Sequence, residues 1–250
     1  MNFINHSQCP KCAQLGKDRG SNNLGNYSDG SCYCFSCGYF SSKTRYRPPR
    51  IEFGSRKNIP KLPQDTTNIL PIHSKEYLDR YKFTQQEIKK HFICWSPYWE
   101  RLIFPIFDDT GLIAWQGRSF NPDKPKWYSQ GDLKSILHII GNKQAQYLIL
   151  TEDIISSIVL SRVPEYCASP LFGSHLTINR LRRLWQILGY NIFILWLDKD
   201  KEKESLKYSY NARQLGFDCY SLVTNKDPKE YDEKTIKNLL TERLKCVTLN

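Results

Sequence analysis

The chain has 250 residues, 40% of them hydrophobic, with 36 Lys+Arg against 25 Asp+Glu and a formal net charge of +11. That length suits one large or two modest domains with a real core, and the clustered apolar and aromatic residues exclude full disorder. No window approaches the roughly 20 apolar residues of a membrane helix, and the opening MNFINHSQCPKC has no apolar stretch of the signal-peptide kind. The expectation is a soluble cytoplasmic protein with no membrane partner, whose positive balance draws it toward polyanions, nucleic acid being the commonest.

Residues 1–42 are rich in Cys, Gly, Ser and Asn and hold five of the nine cysteines. Cys9-Pro-Lys-Cys12 and Cys34-Phe-Ser-Cys37 form two C-x2-C pairs with 21 residues between them. Such pairs wrap opposite sides of a tetrahedral ion, so one structural Zn²⁺ on Cys9, Cys12, Cys34 and Cys37 is expected, in a small β zinc ribbon. Cys32 stands close enough to compete with Cys34, and His6 could substitute for a thiol. A segment this small has too little core to fold without its metal. Its aromatics (Tyr27, Tyr33, Phe35, Tyr39, Phe40) suit either packing around the ribbon or stacking on bases.

Residues 43–70 read as a basic linker. Within 41–61 there are seven basic residues, one acidic residue and three prolines, which predict an extended tether. Such a stretch is either simply solvated or, through Arg45, Arg47 and Arg50, a contact for a phosphate backbone.

From residue 71 the composition is that of a folded core. Thr84-Gln-Gln-Glu87 fits a capping box opening a short helix. RLIFPIF and LIAWQGRSF, separated by Asp108-Asp109-Thr110-Gly111, predict a β-hairpin. Tyr147–Leu150 and Ile192–Leu197 are short, fully apolar runs, each followed by a helical pattern. Leu181, Leu184, Trp185 and Leu188 mark one helix face, and Gly189 and Gly216 fall where helix C-caps belong. Apolar strands alternating with helices predict a parallel sheet in an α/β fold with α+β elements.

Ligands in such sheets bind beyond the carboxyl ends of the strands. Glu152 follows YLILT, Asp198 and Asp200 follow IFILWL, and Asp227 follows the strand-like CYSLV. Converging carboxylates repel unless a hard cation joins them, which suits a divalent ion handling phosphates. Arg118, Lys126 and Lys134 supply a basic strip of the kind that steadies triphosphate charge.

In this order the segments resemble the DnaG-type DNA primases of bacteria and their phages, above all the primase half of phage primase-helicases. LGNYSDGSCYCFSCGYF resembles the primase zinc-binding domain, and EYLDRYKFTQQEIKKHFI the helix pair opening the catalytic core. RLIFPIFDDTGLIAWQGRSFNPDKPKWYS resembles that core's hairpin and basic motif. YLILTED, ILWLDKD and TNKDPKEY resemble the three acidic motifs of a Toprim fold. The resemblance implies a zinc ribbon over 1–42, a linker over 43–70, an N-terminal core subdomain over 71–143 and a Toprim subdomain over 144–250. It implies a nucleotidyltransferase making short RNA primers on single-stranded DNA from ribonucleoside triphosphates, with pyrophosphate released. Glu152, Asp198, Asp200, Asp227, Lys126 and Lys134 would be catalytic, with Glu152, Asp198 and Asp200 holding one to three Mg²⁺ or Mn²⁺ ions. Arg118, Lys126 and Lys134 would contact nucleotide phosphates or template.

Two departures stand out. Asp153 occupies the place of the family's Gly after Glu152, and Asp198-Lys-Asp200 runs into KEKE where Ala-Gly is usual. These changes motivate an alternative, a catalytically weak single-strand-binding or helicase-recruiting module; a Toprim nuclease is a further alternative. No G-x4-G-K-[ST] loop occurs in the chain, so a replicative helicase is expected in trans. A monomer is expected, in the bacterial host's cytoplasm if the chain is phage-encoded.

Overall fold

The structure, a computed structural model, describes residues 3–28, 30–37, 39–42, 60–133, 135–190 and 192–248. Arg45, Arg47, Arg50 and Lys134 lie outside the described residues. The chain divides into two compact units, one holding the N-terminal segment together with residues 210–218 and the other the rest of the chain from residue 55.

The first unit is a four-stranded antiparallel sheet in the order β1 (Phe3–Ser7), β2 (Leu24–Tyr27), β3 (Ser31–Cys34), β4 (Phe40–Ser42), with α1 (Pro10–Gln14) between β1 and β2. Cys9 caps α1 and Pro10 opens it, a position where proline's missing N–H costs nothing. The core of this unit is Leu24 among Cys9, Cys12 and Cys34. One buried leucine contributes about 1.5–3 kcal/mol, whereas ordering each residue costs about 1–2 kcal/mol. Apolar burial therefore cannot hold this sheet, and a metal on the cysteines must supply the difference.

The second unit opens with a helix pair, α2 (Ile72–Arg80) and α3 (Gln85–Lys90). The capping box at α3 forms as expected: Glu87 N–H donates to Thr84 Oγ1 at 3.1 Å, and Thr84 N–H to Glu87 Oε2 at 2.8 Å. An antiparallel meander follows, β5 (Cys94–Ser96), β6 (Arg101–Asp108), β7 (Gly111–Ser119) and β8 (Trp127–Gln130). The expected hairpin is β6–β7, with Asp108 opposite Gly111 and Gly111 at φ +119°. β6 is buried on both faces. Leu102, Phe104 and Ile106 join the main core, while Ile103 packs with Cys94 and Trp115 on the other side.

Residues 60–70, expected within the linker, pack on this meander instead. Leu62 covers Trp115, Thr67 bridges to Trp95, and the Asp65 carboxylate accepts from Ser96 Oγ and from Tyr98 N–H at 2.6 Å. Polar contacts and two isolated leucines, Leu62 and Leu70, hold this stretch, and so its composition reads as tether.

The α/β part comprises β9 (Ile140–Gly141), β10 (Tyr147–Thr151), α4 (Ile154–Leu160), β11 (Cys167–Pro170), α5 (Ile178–Leu188), β12 (Ile192–Leu195), α6 (Glu202–Gln214), β13 (Asp218–Ser221) and α7 (Glu233–Thr248). Its five-stranded sheet runs β13-β12-β10-β11-β9. β10 is parallel to both β11 and β12, and the two-residue β9 adds antiparallel at the edge. The fully apolar β10 and β12 are buried as a covered parallel sheet requires. Gly189 ends α5 at φ +67°, which a β-carbon would strain. Leu181 and Leu184 are buried, but Trp185 is 43% exposed. No helix among the described residues is long and apolar enough to cross a membrane.

Candidate zinc and acidic sites

Cys9, Cys12, Cys34 and Cys37 come together with every Sγ within 4.8 Å of the others. Each C-x2-C pair folds into the same turn. Cys12 N–H donates to Cys9 Sγ and Cys37 N–H to Cys34 Sγ, both at 3.4 Å. Burial works against a Cys34 thiolate, but the N–H groups of Cys37 and Ser36 bring its pKa down to about 7. Burial pushes Cys12 up to about 12, helped by the neighbouring thiols. Four sulfurs in this geometry fit a structural zinc ion. Cys32 lies outside the quartet, beside it on β3, and His6 turns its Nδ1 to the Asn22 carbonyl at 2.7 Å.

Asp18 is not legible in the sequence. It is buried, and its carboxylate accepts the Cys9 N–H at 2.6 Å and the Asn22 N–H at 3.3 Å, while its carbonyl accepts from Gln8 Nε2. It fixes the loop that presents the first cysteine pair. On the same sheet Phe3 and Phe35 are exposed, with His6 stacked 6.0 Å from Phe35 and Tyr33 edge-on to it at 5.4 Å. Gly25 makes room for this group, since a β-carbon there would come within 2.8 Å of the Phe35 ring.

In the second unit the expected acids gather beyond β10 and β12. Glu152 follows β10, and Asp153 caps α4 by accepting the Ser156 N–H at 2.7 Å. Asp198 and Asp200 follow β12. Asp227 opens a tight turn over Pro228–Glu230 and accepts the Lys199 N–H at 3.0 Å.

That turn aims Lys229 back into the acids. Its Nζ lies 2.8 Å from Asp153 Oδ2, 2.8 Å from Asp198 Oδ2 and 3.3 Å from Asp227 Oδ2. Burial opposes the charge on Lys229, yet the Asp153 and Asp198 carboxylates outweigh it and hold its pKa well above the usual lysine value. Burial and the adjacent Asp153 push Asp198 up, with Lys229 opposing. Burial raises Glu152 as well, and the Asp200 charge adds to it. Asp200 is 71% exposed and pairs with Lys201 at 2.8 Å.

Glu152 Oε2 and Asp198 Oδ1 are buried with no hydrogen-bond donor. Hard oxygens left without a donor are what a divalent cation takes, so Glu152 and Asp198 suit such an ion. Among the described residues the cysteine quartet is the one group whose ligand atoms already converge enough to hold a metal; the acids stand around Lys229.

The basic strip is partly assembled. Arg118 on β7 stacks over Tyr77 at 4.2 Å and near Trp127 and Phe120 at 5.4 and 5.6 Å. Burial pushes Tyr77 and Tyr81 up, while the Arg118 and Lys229 charges oppose it and the Asp153 charge adds to it. Lys126 is exposed just before β8. A groove of about 550 Å³ opens beside Lys229, its wall mixing cations (Arg80, Lys82, Lys234) with acids (Glu230, Asp232, Glu233).

This architecture can be compared with solved structures. It matches the zinc-binding and RNA polymerase domains of the Aquifex aeolicus primase at a TM-score of 0.55 and 15% identity, over 97% of this chain and 80% of that one. The fold is that of DnaG-type primases. The primase fragment of the bacteriophage T7 primase-helicase gives a TM-score of 0.51 at 14% identity, over 97% of this chain and all of the fragment. A DnaG primase catalytic domain bound to single-stranded DNA gives 0.53 at 16% identity, over 68% of this chain and 71% of that one. No protein-family model matches the chain, and no curated protein matches it in sequence.

Proposed function

We propose that the chain is a DNA primase that makes short RNA primers on single-stranded DNA. The reading is carried by one observation: a cysteine quartet and a core with carboxylates beyond its parallel strands occur together, in primase order, in one chain. In this reading residues 1–42 are the zinc ribbon, 43–70 a linker whose last stretch, 60–70, lies on the core, 71–143 the first core subdomain and 144–250 the Toprim subdomain. It works in the cytoplasm as a monomer, with a replicative helicase as its partner.

The reaction joins the 3′-hydroxyl oxygen of one ribonucleotide to the α-phosphorus of an incoming triphosphate. The bond to pyrophosphate breaks, and the hydroxyl proton passes to solvent. Glu152, Asp198 and Asp200 would hold Mg²⁺ or Mn²⁺, with Asp227 beside them. When bound, that ion supplies positive charge at the α-phosphate and the departing pyrophosphate. Arg118, kept planar against Tyr77, would orient phosphate oxygens, with Lys126 and Lys134 completing the strip. Arg45, Arg47 and Arg50 would follow the template backbone. The Phe3–Phe35 ring group offers faces on which template bases could stack.

The test is labelled ribonucleotide incorporation on a single-stranded circular template, with Mg²⁺ or Mn²⁺. Short products from the wild type, and none from Asp200→Ala with DNA binding retained, support a primase. A second reading, a catalytically weak single-strand-binding or helicase-recruiting module, is favoured by one observation: Lys229 and Asp153 are interposed among the acids. No product with either metal, beside tight single-strand binding, would select it.

A further inference from the structure

The acidic end of the parallel sheet already contains a cation. The Lys229 side chain is 9% exposed and touches one carboxylate oxygen each of Asp153, Asp198 and Asp227. Three carboxylates this close repel strongly, and a buried ammonium without partners is equally unfavourable, so each side of the arrangement depends on the other. The position is built rather than incidental. Pro228 is buried, and Asp227 and Glu230 close the turn on each other, so the backbone holds Lys229 inward. Asp153 is held too, because it caps α4.

We propose that the Lys229 ammonium stands where the acidic cluster would otherwise take a second divalent ion, so that this end of the protein accepts a single ion, on the side of Glu152 and Asp200. The inference rests on the reading above that these acids serve a metal. Asp198 is shared between the two positions. Its Oδ2 belongs to Lys229, while its Oδ1 is buried and unclaimed, as is Glu152 Oε2. Those two oxygens, with the exposed Asp200 carboxylate, whose Oδ2 meets only the neighbouring Lys201, remain for an ion; the Asp153 and Asp227 oxygens turned to Lys229 do not. A tethered ammonium brings one positive charge instead of two, cannot be removed by a chelator, and offers no open coordination position to a phosphate oxygen.

The experiment is an electron paramagnetic resonance titration of Mn²⁺ into the zinc-loaded full chain. Wild type, Lys229→Arg, Lys229→Met and Lys229→Asp are compared, with circular dichroism as a check on folding. Wild type and Lys229→Arg are expected to take up one tightly held ion at most. Lys229→Met and Lys229→Asp should take up one more, and added Mn²⁺ should raise the melting temperature of Lys229→Met more than that of the wild type. A Lys229→Met chain that folds only with Mn²⁺ present would support the proposal equally. If it folds under neither condition, Lys229→Gln, which donates hydrogen bonds without charge, decides by the same count. Two ions in the wild type, or an unchanged count in folded variants, would overturn the proposal and leave the metal reading intact. Absence of tight Mn²⁺ from every protein would overturn both.

Discussion

Arg162, just past the end of α4, donates from Nε to Glu87 of α3 at 2.6 Å, although 75 residues separate them. Its Nη atoms also reach the Tyr81 and Lys82 carbonyls at the end of the helix pair. One planar guanidinium thus fastens the opening helices to the α/β part, and lysine could not make the same set of bonds. Arg162→Ala leaves Glu87 Oε1 and two carbonyls without their guanidinium donor, although Thr84 still serves Glu87 Oε2. The expected cost is about 2–3 kcal/mol, read as a lower urea midpoint, and Arg162→Lys should recover only part of it.

Zinc removal should affect the first unit selectively. Its apolar core is one leucine among cysteines, whereas the second unit buries a large aliphatic and aromatic cluster. A strong chelator is expected to abolish the amide dispersion of residues 3–42 in NMR spectra while the second unit keeps its signals. Cys37→Ser should do the same without chelator. Asp18→Asn, which weakens the acceptor of the Cys9 N–H, should speed zinc loss to a chromogenic chelator.

Acid should destabilise the second unit through two histidines. Burial lowers His91 and His138 to about 4 from an ordinary 6.5. The unfolded chain therefore binds more protons than the folded one between those values, and stability falls as pH drops through that window. Above about pH 6.5 both are neutral in either state and contribute no slope. Urea midpoints measured from pH 7 to pH 4 should fall, and His138→Gln should flatten the curve.

Arg118→Lys keeps the charge but loses the flat stack on Tyr77. If Arg118 orients phosphates, nucleotide affinity should fall by about 1 kcal/mol, roughly fivefold, with little change in melting temperature. Equal affinity in the two proteins would remove Arg118 from nucleotide contact. Single-strand binding should weaken with salt at a log–log slope of about −0.7 per phosphate contacted, and charge-removing changes at template-contacting arginines should reduce that slope.

Features set by neighbours along the chain are readable from the amino-acid order alone. The Thr84–Glu87 cap, the turn at Asp108–Gly111 and the αL glycine at Gly189 each need only a few adjacent residues. The cysteine quartet is readable because its spacing carries the chemistry. Lys229 is not, although it stands within an acidic motif. Its partners Asp153 and Asp198 lie 76 and 31 residues away, and no periodicity links them. Residues 60–70 escape notice for another reason. Only Leu62 and Leu70 pack on the apolar clusters there, and the rest of the hold is the Asp65 carboxylate and a bridge from Thr67 to Trp95, too little apolar pattern to stand out. Trp185 shows the opposite error, since a helical face can continue past the surface it packs on.

β9 ends the parallel sheet with only two residues, and a β-carbon on Gly141 would press within 2.9 Å of Ser161 and 3.1 Å of the Tyr166 carbonyl. So short a rim leaves little unpaired backbone for a stray strand to copy. A parallel sheet of such apolar strands is sticky while it assembles, and its border is where misassembly would begin. Replacing Gly141, at φ +101°, with a β-branched residue for which there is no room should disrupt that border and show first as insoluble protein during expression, before any change in chemistry could be measured.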